Sequence, residues 1–470
     1  MQETILKVVQ NINSYLADYI LIILLIGTGL WFTIKTKFVQ VRCFGEGMKK
    51  VFGNLSLSGG KNKSGLSSFQ ALATAIAAQV GTGNIVGASG AILVGGPGAI
   101  FWMWVIAFFG MATIYAEAVL AQETREIDKD GEVHGGPVYY IKKAFPNGFG
   151  TFMAVFFSVS ITLALGFMGS MVQSNSIAES CNTAFGVPGW IIGLIVAVVC
   201  VFIFIGGIQR IAAVTEKMVP LMAVLFLAGG LVVLAFNITN VPGTIAMIFK
   251  YAFTPSALIG GGIGMAIKTA ISQGAKRGLF SNEAGMGSTP HAHAMANVEK
   301  PHDQGVVAMI GVFIDTFVVL TMTALVVITV LYGKDGILAG LSGDAYLAAT
   351  SGADAIISKT SAMQTAFTNG LPGVLGNFGS IFIAICLLFF AFSTIISWNF
   401  FGKLNVQYLF KGKAATVIYS IIAVAFIFLG SCLSNDLVWE LTDFFNYLMV
   451  IPNVIALIAL TNLVVKASKK

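Results

Sequence analysis

From Phe69 to Val94 the chain is apolar for long enough to cross a bilayer, yet the stretch AAQVGTGNIVGASG (residues 77–90) sets Gln79, Thr82 and Asn84 among glycines. Windows of roughly 20 apolar residues, the length that spans about 30 Å of hydrocarbon as a helix, recur along nearly the whole sequence. The pattern predicts eleven spans, at 17–34, 68–94, 98–122, 148–177, 187–206, 212–236, 247–272, 304–332, 375–400, 414–433 and 440–465. Two are interrupted by glycine: the second at Val80-Gly81-Thr82-Gly83-Asn84, the seventh at Gly260-Gly261-Gly262-Ile263-Gly264. They stand five spans apart. If each begins a five-helix unit, the odd number turns the second unit over in the membrane, an arrangement in which paired broken helices mark a transporter binding site. The expected organisation is an N-terminal helix and basic loop over 1–66, a first inverted repeat over 67–237 and a second over 238–470, with an outer lid loop at 334–374.

The breaks have a physical use. In hydrocarbon every backbone N–H and C=O needs a partner, so an unwound segment survives only where it lines a cavity or meets a ligand. Freed N–H groups at the positive end of the following half-helix suit a carboxylate, and freed carbonyls of the preceding half suit a cation. The Gly83/Gly87 spacing could serve helix packing alone, but packing does not account for Gln79, Thr82 and Asn84, each costly in lipid without a partner. A phosphate-binding loop is excluded by context: the spacing is not GxGxxG, no strand precedes it and no acidic residue follows at about 20 positions.

Composition agrees with a polytopic membrane protein, with 56% hydrophobic and 10% charged residues and a net charge of +6. Alternate loops differ in charge: about 22 of the 27 Lys and Arg fall on one side, which the positive-inside rule makes cytoplasmic. The N-terminus is then outside and the C-terminus inside, and the positive charge reflects topology and contact with anionic lipid rather than nucleic acid. No required protein partner is inferred. The first span lacks a small-residue cleavage site and reads as a retained helix. Five cysteines without CxxC spacing argue against a zinc site or a disulfide framework, although Cys181 and Cys432 could pair.

Few ionisable residues lie within the spans. Asp315 is the deepest carboxylate; it could bind sodium or a proton, or only hydrogen-bond Thr316 and nearby backbone. Glu117 and Lys268 read as snorkelling residues near cytoplasmic ends. Asn282 and Glu283 are placed in a cytoplasmic loop as part of an inner gate, with Arg277 the nearest partner for Glu283. His291 and His293 are two apart and lack the i, i+4 spacing of a metal helix, and no catalytic constellation or Walker motif appears, which argues against an enzyme or an ATP-driven pump. A channel would want charged rings or a continuous polar pore. In the outer loop, Gly343 to Lys359 reads as an amphipathic helix.

Several long segments carry a resemblance: VGTGNI (80–85), GGPGAIFWMWVIAFFGMATIYAEAVLAQ (95–122), HGGPVYYI (134–141), GLFSNEAGMGSTPHAHA (278–294) and AFSTIISW (391–398). The chain resembles the alanine or glycine:cation symporter family of bacteria and archaea across nearly its whole length. The resemblance implies an all-α LeuT-type fold with two inverted five-helix repeats plus one extra N-terminal helix, in the cytoplasmic membrane of a prokaryote, importing small neutral amino acids with sodium. It implies that the backbone at Thr82 and Gly83 meets the substrate carboxylate, with Gln173 and Trp398 facing the same cavity; the breaks and the pocket wall themselves add Gln79, Gly261, Gly262 and Ser397 to the expected substrate-binding residues. For sodium it implies Asn84 at one site and Ala77, Val80, Ser393 and Thr394 at another. Ser397 and Gln79 depart from the family's usual residues, so a serine or glutamine carrier, or proton coupling through Asp315, stands as the alternative.

Overall fold

A computed structural model describes residues 2–53, 65–129, 132–205, 207–260, 262–352, 355–433 and 435–469. The chain is helical almost throughout. Among the described residues eight helices are long and apolar enough to cross a membrane: α1 (Thr4–Lys35), α4 (Ala99–Thr124), α5 (Gly148–Phe185), α7 (Gly207–Phe236), α10 (Pro301–Leu331), α11 (Val374–Leu409), α12 (Lys413–Gly430) and α13 (Asn435–Ala459). A ninth span is a pair, α2 (Ser68–Gln79) and α3 (Gly83–Gly95), bent by 46° at its break, and the shorter apolar α6 (Gly189–Ile205) lies between α5 and α7. Two further helices complete the core, α8 (Ile263–Asn282) and α9 (Pro290–Ala294).

Local chemistry explains the first broken helix. Ser67 and Gln70 form a capping box that starts α2, satisfying donors that would otherwise face lipid or protein without partners. The helix ends at Val80, which leaves helical geometry at φ −80° and ψ 87°. It resumes at Gly83 as a π-helical turn over Gly83–Gly87 before α3 continues, a local widening frequent at functional sites. At its base the chain is stitched to the other half of the molecule: Leu66 N–H donates to Met295 O at 2.8 Å and Asn297 N–H to Leu66 O at 2.8 Å.

The seventh expected span is not where hydropathy puts it. Residues 247–272 are divided among a helix at Val241–Phe253, a short turn at Ser256–Ile259 and the first part of α8. Pro255 and Gly260, the latter at φ +75°, turn the chain between them. The α8 helix then runs through Lys276 and Arg277, which the charge pattern assigned to a loop. Both are paired: Arg277 Nη2 lies 2.7 Å from Asp443 Oδ2 of α13, and Lys276 Nζ lies 3.7 Å from Asp18 of α1. A hydropathy window scores each charge singly, whereas an ion pair removes much of its cost. Deleting these two from the loop count leaves the positive-inside bias intact. Lys268, expected to snorkel, is 3.1 Å from Asp18 Oδ2 and 3.1 Å from the Tyr19 hydroxyl, in the half of α8 nearer the lid loop.

The extra helix α1 is held by polar bonds to the last spans. Asn13 Nδ2 donates to Glu440 Oε2 at 2.6 Å, and Trp31 Nε1 donates to Thr461 Oγ1 at 2.9 Å. In the loop after α10 the helix expected over 343–359 is only Gly343–Thr350, and a second, Ala362–Gly370, follows it. This loop caps the C-terminal end of α3: the Tyr346 hydroxyl donates to Leu93 O at 2.9 Å and contacts the Tyr332 hydroxyl at 2.8 Å. Cys181 and Cys432 are not bridged; both are free, the first buried and the second exposed.

Candidate functional site

The second break in the core lies between α8 and α9, over Glu283–Thr289, and not at Gly260–Gly264. Gly262 begins α8 in an exposed position with open space around its Cα, a whole helix away from that break. Gly261 lies outside the described residues. Gly285 at φ +93° and Gly287 at φ +78° give the second break its course, a left-handed geometry that glycine adopts without penalty.

The two breaks touch. A Cβ added to Gly83 would lie 3.1 Å from Ser281 Cα and 3.0 Å from the Phe280 ring. Gln79 Nε2 donates to Asn282 O at 2.7 Å across the junction. Asn282 and Glu283 are therefore buried at the meeting point of the broken helices and not in a surface loop. Glu283 makes no pair with Arg277; its Oε1 accepts from Trp398 Nε1 at 2.5 Å and its other oxygen from the Ser288 hydroxyl.

Around the first break the freed backbone is engaged by side chains. Gly81 N–H donates to Asn84 Oδ1 at 3.0 Å and Thr82 N–H to Gln173 Oε1 at 3.1 Å. Asp315 sits beneath them, fully buried. Its carboxylate accepts from Asn84 Nδ2 at 2.7 Å, Ser281 Oγ at 2.9 Å and Thr316 Oγ1 at 2.8 Å, while Asn282 Nδ2 donates to Thr316 Oγ1 at 3.3 Å. One carboxylate thus joins both broken helices and α10 through hard oxygen and amide groups.

On the opposite side, Thr394 Oγ1 donates to Ala77 O at 2.9 Å and Ser393 Oγ reaches the same carbonyl at 3.4 Å. Trp398, one helical turn further along α11, packs edge-on against Phe280 with ring centroids 5.6 Å apart. Gly169 of α5 abuts it so closely that an added Cβ would come within 2.5 Å of the indole. Gly81 is confined likewise, since its Cβ would fall 2.3 Å from Thr394 Oγ1 and 3.2 Å from Gln173 Oε1. Gly81→Ala is expected to remove transport while the protein still reaches the membrane, because the clash displaces Thr394 and the break itself; uptake assays at matched expression measure it, and wild-type uptake would contradict the packing described.

Four buried polar atoms in this ring lack protein partners among the described residues: Gln79 Oε1, Thr82 Oγ1, Gln173 Nε2 and Ser397 Oγ. A buried unpaired polar group costs about 1–3 kcal/mol, so a cluster of them marks a place that a polar ligand or water fills.

Residues that sequence reasoning did not assign to the site also converge here. Ser281 joins Asp315, as above. Glu117 is not snorkelling; wholly buried in α4, it accepts Gly285 N–H at 3.0 Å, Gly287 N–H at 2.9 Å and Asn453 Nδ2 at 2.7 Å. It satisfies the donors of the second break as Gln173 and Asn84 satisfy those of the first. On the lid-loop side, Trp439 covers Phe280 at 4.8 Å, and Arg277 and Lys359 lie over its ring at 4.6 and 5.4 Å. Lys359 Nζ reaches Asp436 Oδ1 at 2.9 Å. At the opposite end two cavities, of about 470 and 340 Å³, are bordered by Gly65, Met295, Asn399 and Lys403, and by His134, His291 and Asn405.

Comparison with known proteins agrees with this architecture. The crystal structure of MhsT in complex with L-phenylalanine superposes with a TM-score of 0.57 over 87% of this chain and 100% of that one, at 13% identity. A manganese transporter mutant of Eremococcus coleocola gives a TM-score of 0.51 at 12% identity over 84% and 85% of the two chains. The fold is thus the LeuT type, two inverted five-helix repeats, here with an extra N-terminal helix. Among sequence relatives, the sodium/alanine symporter AgcS of Methanococcus maripaludis is 39% identical over 464 residues, 98% of this chain and 96% of that one. The probable sodium/glutamine symporter GlnT of Bacillus subtilis is 38% identical over 469 residues, 100% and 91% of the two chains. The putative sodium/proton-dependent alanine carrier protein YrbD of the same organism is 39% identical over 457 residues, 96% and 89%. The model of the sodium:alanine symporter family matches residues 2–470, and the chain belongs to that family of membrane transporters.

Proposed function

We propose that the chain is a sodium-coupled symporter importing a small neutral amino acid by alternating access. The observation that carries this is the meeting of two helix breaks in a buried ring with four unpartnered polar atoms. The substrate carboxylate meets Thr82 and Gly83 at the positive end of α3, displacing Gln173 from the Thr82 N–H. Trp398, Phe280 and Ser397 wall its side chain.

Sodium ions, as co-transported cargo, take two places. One is built from Ser281 Oγ, the Asp315 carboxylate and Asn84, whose amide turns so that Oδ1 replaces Nδ2 opposite Asp315. The other is built from the carbonyls of Ala77 and Val80 with the hydroxyls of Ser393 and Thr394. Both sets offer hard oxygens, which suit alkali and alkaline-earth cations. One ion is energetically sufficient: 100 mV contributes about 2.3 kcal/mol per charge and a tenfold sodium gradient about 1.4 kcal/mol, enough for several-hundredfold accumulation of a zwitterion. Coupling follows if sodium and substrate favour the same closed state, each raising the other's affinity by the same factor.

The positive-inside bias supports an N-terminus outside and a C-terminus in the cytoplasm. The repeats then run over about 67–237 and 238–470. The lid loop, Trp439 and the Arg277–Asp443 pair form the outer closure, and the cavities beside Asn399 and Asn405 form the inner exit. Gln79 Oε1 and Ser397 Oγ, both buried without partners among the described residues, favour as second reading a polar side chain such as that of serine or glutamine.

Uptake by proteoliposomes of labelled alanine, glycine, serine and glutamine, with and without an inward sodium gradient at fixed pH, tests the proposal. Sodium-driven accumulation of one of them is expected; uptake that ignores sodium and follows a proton gradient overturns the ion assignment. Trp398→Ala is expected to change the order of preference among the four substrates at least fivefold, as read by competition, and an unaltered order would remove Trp398 from the substrate wall.

A further inference from the structure

Three carboxylates are wholly buried around the breaks, Glu117, Glu283 and Asp315. None forms an ion pair among the described residues. Buried charge without a counterion is costly, so such a group is neutralised or recruits a cation. Two of the three are accounted for: Glu117 is held by three donors, two backbone N–H groups and Asn453, and Asp315 belongs to the oxygen-rich cluster with Asn84 and Ser281.

Glu283 is different in kind. It accepts from two side chains, Trp398 Nε1 and Ser288 Oγ, one on each oxygen. A carboxylate offers about four lone-pair sites, so it retains accepting capacity. Its backbone stands at φ +58°, a left-handed conformation rare for any residue but glycine and one that persists where the surroundings enforce it, often at a ligand site. It also forms the C-terminal cap of α8, where the helix dipole is negative, whereas the carboxylate-binding break opens at the positive end of α3. The donor that holds it, Trp398, is one helical turn from Thr394, which packs on Gly81.

We infer that Glu283 receives the α-ammonium group of the substrate, so that the zwitterion lies with its carboxylate on the Thr82–Gly83 backbone and its ammonium on the Glu283 lone pairs that Trp398 and Ser288 leave open. This rests on the symporter reading above and adds a specificity rule: the α-amino group is an obligatory recognition element, and analogues lacking it are refused because they leave Glu283 buried and unpaired. The same contact links the substrate to Trp398 through the Glu283 carboxylate.

The test uses purified full-length protein in detergent, with thermal unfolding followed while sodium and alanine are titrated separately, and propionate as the probe without an amino group. Wild-type protein is expected to respond to sodium, and to alanine at least 100-fold more tightly than to propionate. Glu283→Gln is expected to keep the sodium response, to lose at least tenfold in alanine affinity, and to discriminate alanine from propionate less than tenfold. Alanine affinity within threefold of wild type in that variant overturns the inference. Should Glu283→Gln lose the sodium response as well, Glu283→Asp decides: weakened alanine binding with intact sodium binding supports the role, and wild-type alanine affinity sinks it. Absence of any sodium response in the wild type would instead refute the symporter reading from which the inference starts.

Discussion

Replacing Asp315 by Asn is expected to lower the apparent sodium affinity of uptake at least 100-fold, about 2.7 kcal/mol, with the protein still folded in the membrane. The carboxylate gathers Asn84, Ser281 and Thr316 from three elements. In the variant, shape is conserved but the charge is gone, and an NH2 group replaces one acceptor oxygen opposite donors that then have nothing to bond. A sodium titration of alanine uptake in proteoliposomes at fixed pH measures the effect. Sodium dependence unchanged, with loss only of proton-driven uptake, would assign Asp315 to a proton and leave the ion site to Ala77, Val80, Ser393 and Thr394.

Glu117→Gln is expected to be the most destabilising conservative change in the core, by about 3 kcal/mol, because two hydrogen bonds to a charged acceptor are lost or weakened at about 1.5–3 kcal/mol each. The amide can present its oxygen to only one of Gly285 and Gly287; its NH2 then faces the N–H of the other. Asn453 can reorient but cannot accept through its nitrogen. A lowered Tm, read by intrinsic fluorescence, should accompany loss of transport. A variant as stable as the wild type would show that water readily replaces this cap.

Glu117 and Arg277 illustrate what a linear reading can and cannot contain. Both are charged residues in apolar surroundings, and a window-based reading assigns each to the nearest edge, as a snorkelling acid and a loop cation. Packing gives each a partner remote in sequence, Gly285 and Gly287 for one and Asp443 for the other. Once Arg277 is paired, α8 extends to Asn282, and the second break moves from the glycine run at 260–264 to Glu283–Thr289. A signal for that position was present: Gly81-Thr82-Gly83-Asn84 in the first break has a counterpart in Gly285-Met286-Gly287-Ser288, each a Gly-x-Gly followed by a small polar residue. The glycine run at 260–264 is denser and lies in a more apolar window, so its local signal is the stronger of the two.

The linear order of residues decides that this chain lives in a membrane, roughly how many times it crosses, that it is a symporter-family protein and where its first helix breaks. Those properties follow from local quantities, the apolar length of a segment and the absence of a side chain at glycine, which neighbours in sequence carry without help. Three-dimensional packing decides which polar residues are partnered. That is why Asn282 and Glu283 belong to the centre, why Glu117 serves as a cap, and why Gln79, Thr82, Gln173 and Ser397 are left with capacity for a ligand. The cost of a buried charge or amide depends on what faces it, and much of what faces it here is remote in sequence, 168 positions for Glu117 and Gly285 and 231 for Asn84 and Asp315.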